Sequence, residues 1–96
     1  YIPNLPEGAI VELPGIINAR GITGLPVEPL PSGIAELLCR EITASHLCVD
    51  SVVQGDRHLA LQCLLLDPMI TDIDMAKHIL EDYLSTYREY LPTFWD

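Results

Sequence analysis

The chain is short of bases. Five Lys and Arg stand against fourteen Asp and Glu, a formal net charge of −9. A polyphosphate backbone repels such a surface, so nucleic acid is excluded as an expected partner. The helical segments carry few Lys or Arg, which argues against an anionic membrane surface as well. Long hydrophobic runs are missing. The longest, Cys63 to Leu66, is far shorter than a bilayer crossing. No charged leader precedes an apolar stretch, so no signal peptide is expected. Three cysteines make an odd count, which excludes a complete disulfide framework. Cys39 and Cys48 would lie about 13 Å apart along one helix, beyond the reach of a disulfide. Free thiols buried as small hydrophobes are expected, in keeping with a reducing cytoplasm. Gly-x-Gly-x-x-Gly, the phosphate-cradling Gly-x-x-x-x-Gly-Lys and Cys-x-x-Cys are all absent. Gly15, Gly21 and Gly24 are not followed by a helix, so they read as turn residues and not as a dinucleotide loop.

What remains is a chain of 96 residues, 49% hydrophobic, enough for one small domain or a piece of a larger one. A chain this short buries a smaller share of its surface than a full domain does. It begins at Tyr1 with Pro3 and Pro6 close behind, a start expected of a trimmed piece.

Residues 1–31 hold six of the eight prolines and four of the six glycines. Helices do not survive that density. Two or three short antiparallel strands are expected within residues 8–30. One is Ala9-Ile-Val-Glu-Leu13, bounded by Gly8 and Pro14. Another lies within Ile16 to Val27, with Asn18 to Gly21 as the turn between Ile17 and Ile22. Pro14 and Pro26 cannot donate to a ladder and belong at strand ends or on an edge.

From Ser32 the pattern is helical. Pro31-Ser32 reads as a stop and an N-cap. Ile34, Leu37, Leu38, Ile42, Ser45 and Val49 recur with a 3.6-residue period. The spacing predicts a first helix over about 33–54, ended by Gly55 in the left-handed conformation. Asp56 caps a second helix, 57–66, which Pro68 closes. Thr71 or Asp72 caps a third, about 72–91, with Ile73, Ala76, Ile79, Leu80, Tyr83, Leu84 and Tyr87 on one stripe. The fold class is therefore α+β: short antiparallel strands, then three packed helices. The second helix has almost no polar face, since Leu59, Ala60, Leu61, Cys63, Leu64, Leu65 and Leu66 surround it. A helix apolar all round is buried on all sides. So short a chain has little material to bury it, and more protein is expected against it.

Candidate chemistry is sparse. His46, His58 and His78 form no pair at metal-ligand spacing on a helix. His58 and Cys63 are turned about 140° from each other. Glu36 and Arg40 have the spacing of an ordinary surface ion pair, worth about 0.3 kcal/mol. Gly55-Asp56-Arg57 is the most tempting triplet, because Arg57 could clamp a carboxylate or phosphate. A Gly stop, an Asp cap and an Arg reaching back to carbonyls or acids account for it better. Tyr83, Tyr87, Tyr90, Phe94 and Trp95 read as core packing with an aromatic tail that anchors the C-terminus. No catalytic, cofactor-binding or metal-ligating residue is assigned.

Three stretches taken in order carry a resemblance: Gly8-Ala-Ile-Val-Glu-Leu-Pro14, Gly21 to Pro31, and Val52-Val-Gln-Gly-Asp-Arg-His-Leu-Ala-Leu-Gln-Cys-Leu-Leu-Leu-Asp-Pro68. Together they resemble the C-terminal part of the family 4 glycoside hydrolases, from about Ile2 to Pro92. These are structural signatures and not catalytic motifs. The resemblance implies a larger, dehydrogenase-like two-domain enzyme whose N-terminal dinucleotide-binding domain is absent here. Residues 1–96 would be its C-terminal domain, strand-rich over 1–31 and helical over 32–96. It implies NAD and manganese as the parent's cofactors, a glycoside as substrate, and a cytoplasmic setting. In similar enzymes NAD⁺ oxidises the sugar C3 hydroxyl, a base removes the acidified C2 proton, and the leaving group is eliminated. Water then adds and the hydride returns, outside the two-carboxylate scheme. The family's cofactor loop, metal ligands and base map onto no residue of this chain. The branch implied is that of the α-glucosidases and α-galacturonidases. The expected partners are the N-terminal domain and a second subunit. The rival class is a small acidic helical adaptor that binds a partner through its second helix.

Overall fold

The hairpin forms where the turn chemistry puts it. In the computed structural model, which describes all of residues 1–96, β1 (Gly15–Asn18) pairs antiparallel with β2 (Gly21–Gly24). Ile17 faces Ile22 and Asn18 faces Gly21. Asn18 Oδ1 accepts from the Arg20 amide at 2.8 Å, an Asx turn that starts the reversal. Gly21, at φ +115°, completes it in a region that side chains with a Cβ avoid. The ladder runs one step further, as the Leu25 amide donates to Pro14 O at 2.9 Å. Pro14 thus sits at a strand end as an acceptor only, the place its missing N–H allows.

Ala9 to Leu13 does not form the expected strand. Its burial alternates, with Ala9, Val11 and Leu13 half-buried and Ile10 and Glu12 exposed. That is the alternation of a strand without a ladder: the sheet holds β1 and β2 alone, and neither pairs with this stretch. Asn4 closes this part of the chain. Its side chain donates to Leu30 O at 2.8 Å and accepts from the Leu30 amide at 3.0 Å.

Three helices follow, α1 (Ser32–Gln54), α2 (Arg57–Leu65) and α3 (Ile73–Thr86). α1 begins at Ser32 itself, with Pro31 O accepting from the Ala35 amide. Ser32 therefore opens the helix and does not cap it. α3 stops at Thr86, short of the expected 91. Tyr87 leaves the helical region, and two single 3₁₀ turns, Arg88–Tyr90 and Pro92–Phe94, carry the tail. Their tighter i→i+3 bonds redirect the chain so that Phe94 is buried. Asp72 is the cap of α3, accepting from the Asp74 amide at 3.1 Å, and Thr71 is not.

By its internal contacts the chain divides into two compact units, Tyr1–Cys39 and Arg40–Asp96. Ala35 is the buried apolar residue of the first. Ala76, Leu84 and Phe94 are those of the second, with Ser51 the buried polar one, its hydroxyl donating to Cys48 O. The α3 stripe is only half a core. Ala76 and Leu84 are covered, while Ile73, Ile79, Tyr83 and Tyr87 remain exposed. No residue of α2 is fully buried. No helix is long and apolar enough to cross a membrane.

Candidate functional site

The Gly55-Asp56-Arg57 triplet is a corner between two helices. α1 ends in a Schellman motif: Gly55 takes φ +65°, and the Asp56 amide returns to Ser51 O at 3.0 Å. Asp56 then serves α2. Its Oδ1 accepts from the His58 amide at 2.8 Å and the Leu59 amide at 3.2 Å, satisfying two orphan donors of the first turn. One residue thus closes α1 with its amide and opens α2 with its side chain. The tail seals this corner. Thr93 Oγ1 donates to Val52 O at 2.8 Å, capping a carbonyl of the last turn of α1.

Arg57 reaches back, as the structural reading of the triplet expects. Its Nη1 meets Glu81 Oε2 at 3.0 Å, and its Nε donates to Phe94 O at 3.4 Å. The guanidinium also lies over the Trp95 ring, 4.4 Å from its centroid. Arg88 lies over the same ring at 4.3 Å. Two of the five Lys and Arg are thus committed to one indole, an arrangement that holds the tail by cation–π attraction and by area. Trp95 Nε1 is buried without a partner. The aromatic tail is an anchor, as expected. The tyrosines upstream of it are not core: Tyr83 is 58% exposed and Tyr90 73%, and Tyr83 packs on Tyr87 with ring centroids 4.8 Å apart.

The other candidates stay apart. His46, His58 and His78 are all exposed. No three His, Cys, Asp or Glu side chains lie close enough to hold a metal ion. The ion pair expected between Glu36 and Arg40 does not form. Arg40 Nε instead donates to Leu66 O at 2.6 Å, at the C-cap of α2. The bond satisfies a carbonyl left open at a helix end, where a cation also meets the negative end of the helix dipole, while an exposed ion pair along α1 would add little.

The cysteines divide. Cys63 is half-buried and its Sγ donates to Ala44 O at 3.3 Å. Burial pushes its thiol up from the ordinary value, and the neighbouring Cys48 and Asp67 push the same way. Cys48 is exposed, which corrects the expectation that all three thiols are sheltered. In the native state Cys48 is expected to react with a thiol reagent at least about tenfold faster than Cys63. Peptide-resolved labelling over time checks this, and faster modification of Cys63 would contradict it. The signal that sequence reasoning missed is the tail. Nothing local in Arg57 or Arg88 announces that both will stack on Trp95.

Comparison with known proteins bears on what this architecture belongs to. Residues 1–70 match the model of the family 4 glycosyl hydrolase C-terminal domain. An alpha-glucosidase of Erwinia rhapontici is 31% identical over 91 residues, which is 95% of this chain and 20% of that protein. A probable 6-phospho-beta-glucosidase of Bacillus subtilis is 25% identical over 95 residues, 99% of this chain and 22% of that protein. An alpha-galactosidase of Rhizobium meliloti is 25% identical over 96 residues, covering 97% and 20%. The chain spans about a fifth of the length of each of these relatives. With its hairpin, its three helices and its glycine corner, the chain belongs to family 4 of the glycosyl hydrolases as a C-terminal domain.

Proposed function

We propose that the chain is the architectural part of an NAD- and divalent-metal-dependent glycosidase. Its parent hydrolyses glycosidic bonds, and the chain by itself is catalytically silent. The observation that carries this is the match to the C-terminal domain model, made by a stretch covering about a fifth of its glycosidase relatives. The polar groups of the candidate site support it. Asp56 caps α2, Arg57 holds Glu81 and Trp95, Arg40 caps a carbonyl, and Asp72 caps α3. Each of these residues serves a cap, an ion pair or a stack, and no three His, Cys, Asp or Glu side chains gather as a metal would need. On this reading the groups that would hold NAD and the metal belong to other parts of the parent. The relatives carry names of both anomers and of two sugars. A scaffold shared among them sets neither preference, and the choice of glycoside lies with the parent's other residues.

In the parent the exposed faces of α2 and α3 pack against the dinucleotide-binding domain or a second subunit. The test has two arms. The chain alone, incubated with NAD⁺, Mn²⁺ and a panel of aryl glycosides and glycosyluronates, is expected to show no turnover. Activity that survives repurification would overturn the silent reading. The parent protein, assayed with the same panel, is expected to require both NAD⁺ and Mn²⁺. Hydrolysis independent of both would overturn the cofactor assignment.

A further inference from the structure

We propose that Cys48 and Cys63 form an oxidisable pair, which hydrogen peroxide converts to a disulfide tying α1 to α2. Three observations bring the two sulfurs together. Cys63 Sγ donates to Ala44 O at 3.3 Å, so it lies against the α1 backbone. Ala44 and Cys48 are one helical turn apart, on the same face of α1. Both cysteines also line a single cavity of ≈290 Å³, together with Val52, Leu64 and Tyr83. Cys39 lies about 13 Å along α1 from Cys48 and lines none of that cavity.

The two thiols divide the work by exposure. Cys48 is exposed and meets the oxidant first, whereas Cys63 is half-buried. The Cys48 thiolate attacks one peroxide oxygen and the O–O bond breaks. The departing hydroxide takes a proton and leaves as water, and Cys48 becomes a sulfenic acid. The Cys63 sulfur then attacks the Cys48 sulfur. The S–S bond forms, hydroxide leaves, and the Cys63 proton converts it to water. Two thiols and one peroxide give one disulfide and two waters. The bond fixes the C-terminal half of α2, a helix with no fully buried residue, to the C-terminal half of α1. It also draws together the wall of the apolar cavity.

The first arm of the experiment uses the unaltered chain. The chain is diluted, treated with hydrogen peroxide and quenched. Trypsin without reduction cuts after Arg40, Arg57 and Lys77, which leaves Cys39, Cys48 and Cys63 on three different peptides. The expected product is residues 41–57 joined to residues 58–77, in a monomer lighter by about 2 Da with a single titratable thiol left, reversed by dithiothreitol. Cys39→Ser should keep the cross-link. Cys63→Ser should abolish it and leave Cys48 carrying added oxygen. The proposal is overturned by a cross-link that includes Cys39, by joined copies of 41–57 from two chains, or by oxygen on Cys48 of the unaltered chain while Cys63 stays reduced.

Discussion

Gly55→Ala is expected to destabilise the chain by about 3 kcal/mol, more than the conformation of the glycine alone implies. A Cβ at φ +65° costs about 1 kcal/mol for an alanine in the left-handed region. The remainder comes from the tail. A Cβ on Gly55 would stand 2.6 Å from the Thr93 carbonyl carbon and closer still to its oxygen. Both are backbone atoms, so the clash is relieved only by lifting the tail. Lifting it also strains the Thr93 bond to Val52 O and the Arg57 contacts with Phe94 and Trp95. In a thermal melt the loss reads as roughly 12–24 °C. Gly33→Ala is the control. That glycine lies in α1, where an added Cβ meets nothing within 4 Å, so the change should be neutral or stabilising by up to about 1 kcal/mol. A neutral Gly55→Ala would mean that α1 runs on into α2 without the corner.

What was legible in the sequence is what short-range backbone chemistry decides. Gly55 and Asp56 announce a helix end and a helix start within two residues, because φ > 0 and a side-chain acceptor are local needs. Asn18 and Gly21 announce the hairpin turn for the same reason. Ala9 to Leu13 has the alternation of a strand, but a strand also needs a partner, and the pattern does not say whether one exists. α3 ends before the expected 91 because the tail leaves the helix to bury Phe94 and to bring Trp95 against Arg57 and Arg88, a tertiary outcome. Arg40 departs from its expected pair for the same reason. Its helical neighbour Glu36 is visible in sequence, while the Leu66 carbonyl that wins it is not. The candidate site dissolved into caps and stacks for this reason: each polar residue found a structural partner that only folding brings near.

The chain alone is expected to self-associate, and its surface sets the scale. A compact protein of 10.7 kDa exposes about 5,500 Å², and the same mass divided into two separate compact bodies about 6,600 Å². This chain exposes 7443 Å². The excess over even the divided case is about 800 Å², the area one partner buries in a standard protein interface. Much of that surface is apolar. On α3 Ile73, Met75, Ile79 and Tyr83 are exposed, as is Tyr87 at its C-cap, and on α1 Val53 is 72% exposed. Soluble monomers rarely leave such patches uncovered. The net charge of −9 on each copy opposes association, but salt screens it beyond about 8 Å while leaving apolar burial intact. Sedimentation should therefore show a dimer or larger species whose share rises with protein concentration and with salt. Ile79→Glu, which puts a charge in the middle of the α3 face, should shift the balance toward monomer by at least about tenfold in dissociation constant, because an interface core rejects an unpaired carboxylate. A monomer at every concentration and every salt would mean that these apolar faces need no cover, and the proposed packing against the rest of the parent would lose its physical basis.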